Sequence, residues 1–448
     1  MNIEKIKQLI AQSEMWHADF VTNAEQAERY YRNENDILFS DKKSDTETPL
    51  RNADNRISRN FHGLLVNQKA SYAFTAPPLF DVGNKSANRR ISEVLGDEYG
   101  KTCTELCVEA ANASVGWLHY WVDESGQFQY AVVDTRQIIP VFSTDLKKRL
   151  IAVLRAYTEI DEADGQGYTV YEYWTDTECQ AYRKVSGTGL ELLERYAIFS
   201  SPAGEPTDVI RHGFGEVPFI PFFNNNLRTG DLQNIKPLID VYDKVYSGFI
   251  NDLEDVQELI FVLTGYGGEN LNGFLQELKK YKTIKLDPDD GAGVSTLSIE
   301  IPIEARNSVL DATRKAIFEQ GFGFDPRPET FGNQSGEALK FMYALLEMKV
   351  GLMQKEFELG FAKLIRAICK HERLLCGRII QTWTRTSIRN DTELSEICQR
   401  SVGIVSLRTI LSNHPLVEDV DAELKQLKKE AAEQEEDFGL SHQAEDEP

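Results

Sequence analysis

The sequence predicts an α+β fold that is mainly helical and carries an inserted antiparallel β unit. Three observations lead to this. Apolar residues recur at helical spacing up to about residue 113, strict two-residue alternation then runs to about residue 223, and long helical patterns return from residue 231. A chain of 448 residues is long enough for two or more structural units.

Three helices are predicted before the β unit. The first covers residues 1–32, the second about 55–74, and the third about 86–113. The polar run SDKKSDTETP between the first two predicts an exposed loop over residues 40–49.

The β unit is predicted over residues 116–223. Its alternating runs, such as WLHYWVD, QFQYAVVD and YTVYEYWTD, are rich in Tyr, Trp and Val and are separated by hairpin-length breaks. The unit ends at VPFIPFF, where Pro218 and Pro221 favour a sheet edge or an extended connector. His119, between Leu118 and Tyr120, is more simply explained as a half-buried sheet residue than as a ligand.

The strongest helical pattern follows the β unit. Residues 231–263 repeat apolar side chains at spacings of three and four, and a single helix of that length would span about 50 Å. Much of its remaining surface is acidic: from residue 240 to residue 258 the only cation is Lys244, against the acids Asp240, Asp243, Asp252, Glu254, Asp255 and Glu258.

Shorter elements come next, before two further helices. Residues 265–303 predict one short helix and two strands around a turn at 289–293, and a second long helix covers 304–320. A helix from residue 336 to about 382 follows, and from residue 391 the pattern gives short helices. The tail over 418–448, with twelve Asp or Glu and three Lys, predicts a solvated helix that frays.

The stretch DPRPETFGNQSGEALKFMYALLEM, residues 325–348, has three candidate explanations. A phosphate-binding loop is disfavoured, because the Lys and hydroxyl of a GxxxxGK[ST] motif are missing and no strand precedes it. A helix cap by Ser335 is sound, but a cap does not need eleven loop residues. The length therefore favours a loop projected towards a partner.

Composition limits the functional classes. The net charge of −22 argues against a protein that coats nucleic acid. The six cysteines and seven histidines form no zinc spacing and no catalytic motif, so we expect no metal, no cofactor and no enzyme. There is neither a signal-peptide pattern nor an apolar run long enough to cross a bilayer, which predicts a reduced cytoplasmic protein without a membrane partner.

The order of elements also predicts an oligomer. The two long helices on either side of the short elements at 265–303 are expected to form an antiparallel pair. Such a pair alone has too little surface to bury the apolar face of each helix. Copies packed side by side would bury them and close a ring, whose bore the acidic helix faces would line.

Four stretches of the sequence resemble a known protein family. NIKPLIDVYDKVYSGFINDLEDVQELIFVLTGY and FGNQSGEALKFMYALLEMKV, together with YAVVDTRQIIPVFS and HGFGEVPFIPFFNN, resemble portal proteins of tailed bacteriophages, particularly the Gram-positive siphophage type. The resemblance covers about residues 1–410. It implies a twelve-subunit ring at one capsid vertex, the channel for packaging and ejection of double-stranded DNA.

The resemblance also implies a division of the chain. The regions would be a wing (1–232), a stem helix (233–264), a clip (265–303), a second stem helix (304–323), a tunnel loop (324–336), a helix connecting wing and crown (337–390), and a crown with an acidic tail (391–448).

Site residues follow from this division. The tunnel loop would present Arg327, Gly332, Asn333, Gln334, Ser335 and Gly336 to DNA. The channel lining would include Asp243, Asp252, Glu254, Asp255 and Glu258. The clip would offer Lys285, Asp287, Asp289 and Asp290 to partners.

The implied partners are the terminase large subunit, a head-completion or adaptor protein, the major capsid and scaffolding proteins, and DNA that passes without sequence recognition. The implied location is the virion, after assembly in the host cytoplasm. Two alternatives stay open: another ring-forming scaffold or adaptor that never touches DNA, and an enzyme whose ligands lie far apart in the sequence.

Overall fold

The computed structural model divides the chain into two compact units. One contains residues 1–323 and 348–384, and the other contains 324–347 and 385–448. Within them the structure describes residues 2–40, 53–162, 165–201, 204–256, 260–264, 293–297, 302–327, 336–385, 391–417 and 419–430. The predicted α+β class with antiparallel sheets is confirmed.

The first unit opens with helices in the regions that the sequence predicted, but their number and some of their boundaries differ. Helix α1 is Ile3–Tyr31, as expected, and α2 is Phe61–Ala73, which starts six residues later than predicted. The predicted third helix is wrong as a single element: it is two, α3 (Lys85–Leu95) and α4 (Tyr99–Ala113). Gly96 separates them because its φ of 67° is incompatible with a continuing helix.

The inserted β unit is confirmed. Its strands are β2 (Val115–Val122), β3 (Phe128–Val133), β4 (Ile138–Phe142), β5 (Leu150–Ile160), β6 (Gly167–Trp174), β7 (Glu178–Val185), β8 (Glu194–Arg195), β9 (Phe199–Ser200), β10 (Pro206–Thr207), β11 (Val209–Arg211) and β12 (Phe219–Phe223); β1 (Leu79–Asp81) precedes them. One sheet has the order β11-β7-β6-β5-β4, with β8 also on β7, and a second has β12-β2-β3. Strand β12, which contains Pro221, is at an edge, as its prolines predicted.

Two helices and a strand pair follow the β unit. Helix α5 is Lys236–Val256 and α6 is Ile303–Gly321. The prediction that α5 continues to Leu263 is wrong, because Ile260–Thr264 is strand β13, antiparallel to β14 (Gly293–Leu297). The strand predicted before the turn at 289–293 lies outside the described residues. Helix α6 ends where Phe322 adopts a left-handed φ of 57°.

The longest helix is α7 (Gly336–His371), which stops eleven residues short of the prediction. After it the chain extends and adds β15 (Ile380–Thr382) to β1. In the first unit α7 packs closely on the β unit: a Cβ added at Gly360 would lie 2.5 Å from the ring of Phe222, which is fully buried.

In its described residues the second unit contains the start of α7, up to residue 347, the short helices α8 (Asp391–Arg400) and α9 (Leu407–Asn413), and a further helical run at 420–430. No helix within the described ranges has the length and apolar character of a membrane span.

Candidate functional site

The antiparallel pair of α5 and α6 is the framework of the candidate site. At one end the Arg306 guanidinium pairs with Asp252 and lies 5.4 Å from the ring centroid of Phe249. At the other end Phe61 of α2 packs edge-on against both Tyr242 and Phe318. Ionic contacts therefore join the helices at one end, and a buried aromatic cluster joins them at the other.

A polar stripe on α5 binds the segment that precedes α2. The backbone N–H groups of Arg59, Ile57 and Asn55 donate to the side chains of Asp243 (3.0 Å), Ser247 (3.0 Å) and Asn251 (2.6 Å). Four residues of helix advance about 6 Å and two residues of extended chain about 6.6 Å, so the two spacings match. We call Asp243, Ser247 and Asn251 the polar ladder.

The polar ladder explains why residues 53–60 are not helical. Their backbone groups bond to α5 side chains instead of to each other; Ser247 Oγ and Asn251 Nδ2 also donate to the carbonyls of Ile57 and Asn55. Buried backbone polar groups need partners, and here a helix provides them in place of a neighbouring strand.

The polar ladder also contradicts one predicted channel residue. Asp243 is fully buried within its own chain, where it also accepts a hydrogen bond of 2.6 Å from Asn35 Nδ2, so its predicted place in the channel lining is wrong. Burial raises the pKa of Asp243 to about 6, and the nearby charge of Asp240 adds to this rise, while the Asn35 and Arg59 hydrogen bonds oppose it.

Other acidic residues of α5 have partners as well. Asp240 accepts from the Tyr30 hydroxyl and pairs with Lys236 at 2.8 Å. Asp252 pairs with Arg306, and Glu254 accepts from Asn55 Nδ2. The side chain of Asp255 and the whole of Glu258 lie outside the described part. The acidic face is therefore partly neutralised within the chain.

A buried ionic cluster lies just before α5. Asp231 forms ion pairs with Lys69 of α2 at 3.1 Å and with Lys349 of α7 at 2.9 Å. It also accepts a hydrogen bond of 2.8 Å from Asn224 Nδ2. Lys349 Nζ also donates to the Gly321 carbonyl at the end of α6, at 2.9 Å. We call Asp231, Lys69, Lys349 and Asn224 the Asp231 cluster.

The charges in the Asp231 cluster determine one another's protonation. Burial by itself would raise the pKa of Asp231, but Lys349, Lys69 and the Asn224 hydrogen bond outweigh it and hold the pKa far below its usual range. Burial lowers the pKa of Lys349, and Asp231 opposes that shift. Burial lowers the pKa of nearby His62 to about 4, so this histidine is neutral at pH 7.

The predicted tunnel-loop and clip residues are only partly described. Arg327 Nε pairs with Asp325 at 2.9 Å, and Gly336 is the first residue of α7. The remaining predicted residues lie outside the described ranges: Gly332, Asn333, Gln334, Ser335, Lys285, Asp287, Asp289 and Asp290.

A groove follows the α5–α6 pair on one side. It encloses about 400 Å³ and is lined by Val245 and Gly248 of α5 and Val309 of α6, with Lys244, Asp252, Ala305 and Arg306 around them. Val309 is 45% exposed and Val241, one turn before Val245, is 46% exposed. A valine face of this kind is suited to packing against another protein surface.

The remaining sequence predictions concern histidine and cysteine. His119 packs between Phe219 and Trp174 in the β unit, as predicted, and burial lowers its pKa to about 4. The six cysteines are free. Among the described residues no group of three or more His, Cys, Asp or Glu is placed to hold a metal ion.

Neither the Asp231 cluster nor the polar ladder was predicted from the sequence. Lys69, Asp231 and Lys349 are separated by more than a hundred residues from one another. The four-residue spacing of Asp243, Ser247 and Asn251 was present in the sequence, but on so acidic a helix it could not be distinguished from a solvated face.

Comparisons with known proteins define the class. The family model described as phage portal protein, SPP1 Gp6-like, matches residues 13–437. A portal protein of Clostridium phage phiCD119 is 42% identical over 445 residues, which cover 94% of each chain. A portal protein of Bacillus phage SPP1 is 29% identical over 417 residues, 90% of this chain and 82% of the relative.

Solved structures give weaker likenesses. A chain in the neck of an empty GTA particle, computed with C6 symmetry, has a TM-score of 0.44 at 12% identity, covering 82% of this chain and 92% of that chain. A chain in the neck of a native GTA particle, computed with C12 symmetry, has a TM-score of 0.45 at 11% identity, covering 83% and 92%.

The family match over nearly the whole chain makes this a structural protein of the phage virion. The chain belongs to the SPP1 Gp6-like family of phage portal proteins. Such a family is structural rather than catalytic.

Because Asp231 pairs with two buried lysines, we expect Asp231→Asn to lower the free energy of unfolding strongly. The substitution keeps the shape but leaves two buried lysines without an anion, and breaking a buried ion pair in this way costs about 3–5 kcal/mol. Urea unfolding at pH 7 measures the change. Asp19→Asn, at an exposed position of α1, is the matched control and should change the free energy of unfolding by less than about 0.5 kcal/mol. Equal losses in the two variants would contradict the role of the cluster.

The raised pKa of Asp243 predicts that the free energy of unfolding decreases as the pH rises. The pKa of Asp243 in the folded protein, about 6, lies above the ordinary value of 3.8. The folded state therefore binds this proton more tightly than the unfolded state does. The resulting contribution to the free energy of unfolding is complete below pH 3.8 and is lost as the pH rises through 6. Asp243→Asn cannot ionise. Its free energy of unfolding relative to wild type should therefore increase by about 2–3 kcal/mol between pH 3.5 and pH 7.5.

Ser247→Ala is the control for this pH dependence, because it removes a polar-ladder contact without removing a titrating group. Its difference from wild type should stay constant over the same pH range. A flat profile for Asp243→Asn as well would show that the buried carboxyl does not titrate in this window.

Proposed function

We propose that copies of this chain form a ring at one capsid vertex, through which double-stranded DNA enters during packaging and leaves at ejection. The observation that carries the proposal is the match of residues 13–437 to the portal family. The proposal includes a ring of twelve subunits, assembled in the host cytoplasm and retained in the virion.

The α5–α6 groove supports the ring. Its valine face, with Val241 and Val309 nearly half exposed, is uncovered in the single chain. A neighbouring copy whose opposite helix face packs there would bury both surfaces, and repetition of such an unlike-face contact closes a ring.

The regions keep the roles that the resemblance implies. Residues 1–232 form the wing, 233–264 and 304–323 the stem, 265–303 the clip and 324–336 the tunnel loop. The helix over 337–390 connects wing and crown, and 391–448 form the crown and tail. The clip residues Lys285, Asp287, Asp289 and Asp290 would contact the terminase large subunit and later the head-completion protein. Capsid and scaffolding proteins would contact the ring from outside.

The channel lining is proposed without Asp243. Asp252, Glu254, Asp255 and Glu258 remain as the acidic residues of this stem segment. Like charge prevents the duplex from adhering, which suits a channel through which DNA must move.

The tunnel loop is proposed to contact the passing duplex through weak bonds. Asn333, Gln334 and Ser335 offer neutral hydrogen bonds to phosphates, and Gly332 and Gly336 permit the loop to bend. Asp325 pairs with Arg327 and so reduces the net charge that this arginine presents.

Ring formation can be tested with purified protein. We expect electron microscopy and native mass spectrometry to show a closed ring with a central channel. Val309→Glu should reduce the ring fraction at least tenfold because it places a charge on the valine face of the groove. Leu192→Glu is the control, since Leu192 is 58% exposed in the β unit, and it should assemble as wild type. A monomer for the wild-type chain would contradict the proposal.

DNA contact separates the portal from a ring-forming scaffold or adaptor that never touches DNA. A triple variant, Arg327→Ala, Asn333→Ala and Gln334→Ala, should still form rings in capsids but lower the DNA packaged per particle several-fold. A triple alanine variant of Glu124, Ser125 and Gln127, in the turn between β2 and β3, is the control. Normal packaging and ejection in both variants would remove the proposed role of the tunnel loop.

A further inference from the structure

A second cavity lies on the β unit, away from the α5–α6 pair. It encloses about 410 Å³ between the end of β2, the terminal strand β11 with the residues after it, and the last residues of α7. We call it the aromatic cavity. It is lined by Trp121, Val122, Trp174, Ile210, Arg211, His212, Gly213, Phe214, Lys370 and His371.

Five of its ten lining residues carry rings. The centroid of His212 lies 5.9 Å from that of Trp174 and 5.5 Å from that of Phe214. Trp121, Val122 and Ile210 are each more than a third exposed, although they are large apolar residues. Such a surface costs free energy in water and is typical of a site that another molecule covers.

The charge of the aromatic cavity is opposite to that of the chain. Its charged lining residues are Arg211 and Lys370, and no carboxylate lines it among the described residues, although the chain carries a net −22. The Arg211 side chain is 88% exposed, and its contact with Glu178 is long, at 4.0 Å. Lys370 Nζ donates to the Phe214 carbonyl and thereby stays at the rim.

His212 contributes its ring to the wall of the cavity, and its two nitrogens differ in their partners. Its Nε2 lies 3.1 Å from the Thr175 carbonyl, so this nitrogen carries the proton and Nδ1 is an acceptor. Nδ1 is buried and has no hydrogen-bond partner within the described part of the chain. A buried acceptor without a partner is costly, but Nδ1 has no exposed surface and therefore offers a molecule in the cavity no direct contact.

We propose that the aromatic cavity binds an acidic peptide segment of a partner protein. One aromatic or branched aliphatic side chain of that segment lies among the rings, and flanking carboxylates pair with Arg211 and Lys370. Strand β11 is the terminal strand of its sheet, and a sheet edge is the kind of element to which an extended peptide segment can add.

Nucleic acid fits the same surface less well. Binding of a single strand depends on a groove of cations that follows the backbone, together with stacked bases. Only two permanent cations line this cavity, and the surrounding chain is strongly acidic. One short acidic segment satisfies both cations, whereas a longer anionic strand would meet repulsion beyond them.

The test uses the assembled full-length protein and a fluorescein-labelled dodecapeptide that contains one Phe and one Leu among Asp, Glu and Gly. Fluorescence anisotropy should show saturable binding at concentrations below about 1 mM. Trp121 and Trp174 line the cavity, so the unlabelled peptide should also change the intrinsic tryptophan emission. The same peptide with Phe→Ala, or with Gln and Asn in place of its acids, should bind at least tenfold more weakly.

Matched variants locate the binding. Ile210→Glu and Arg211→Glu should each weaken it at least tenfold. Ile151→Glu and Arg89→Glu, whose side chains are comparably exposed elsewhere, should bind as wild type. Because all four positions are on the surface, ring assembly and circular dichroism should be unchanged.

Three outcomes would overturn the proposal. The first is that the peptide does not bind at 1 mM. The second is that Ile210→Glu and Arg211→Glu leave its affinity unchanged. The third is that a twelve-nucleotide single strand binds the same cavity more tightly than the peptide does. None of these results would affect ring formation through the α5–α6 groove, so they do not depend on the proposed portal function.

Discussion

The Asp231 cluster is the interaction on which the rest of the first unit depends. It joins α2 through Lys69, the end of the β unit through Asn224, the approach to α5 through Asp231 itself, and α7 through Lys349, which also bonds to the last carbonyl of α6. An unpaired charge in the interior costs several kcal/mol, so none of these elements can shift alone. The start of α5 and the end of α6 are therefore held at one point.

Elements with a long and regular apolar period could be predicted from the sequence, and elements that depend on distant partners could not. Helices α1 and α6 and the β unit could be predicted from the spacing of their apolar residues alone. Ile260–Thr264 fitted a helical spacing too, and its pairing with Gly293–Leu297, about thirty residues away, made it a strand. Residues 55–60 likewise had a helical pattern, but the polar ladder offered their backbone groups other partners.

The candidate site was less predictable than the fold because its chemistry depends on contacts over long separations. Asp243 looked like one of several exposed acids, but its partners, Asn35 and the Arg59 amide, come from about two hundred residues earlier. The aromatic cavity likewise joins β2, β6, the residues around β11 and the end of α7. No local motif encodes such a convergence, whereas a resemblance over most of the chain predicted the family correctly.

These intrachain contacts also restrict how copies can meet. The Asp231 cluster holds one end of the α5–α6 pair, the polar ladder covers one side of α5, and the Arg306–Asp252 pair holds the far end. The valine face around Val245, Gly248 and Val309 remains uncovered. In the proposed ring, polar contacts inside each chain thus select the apolar face between chains. The subunit would meet its neighbour as a preformed body, so little conformational entropy is lost on closure.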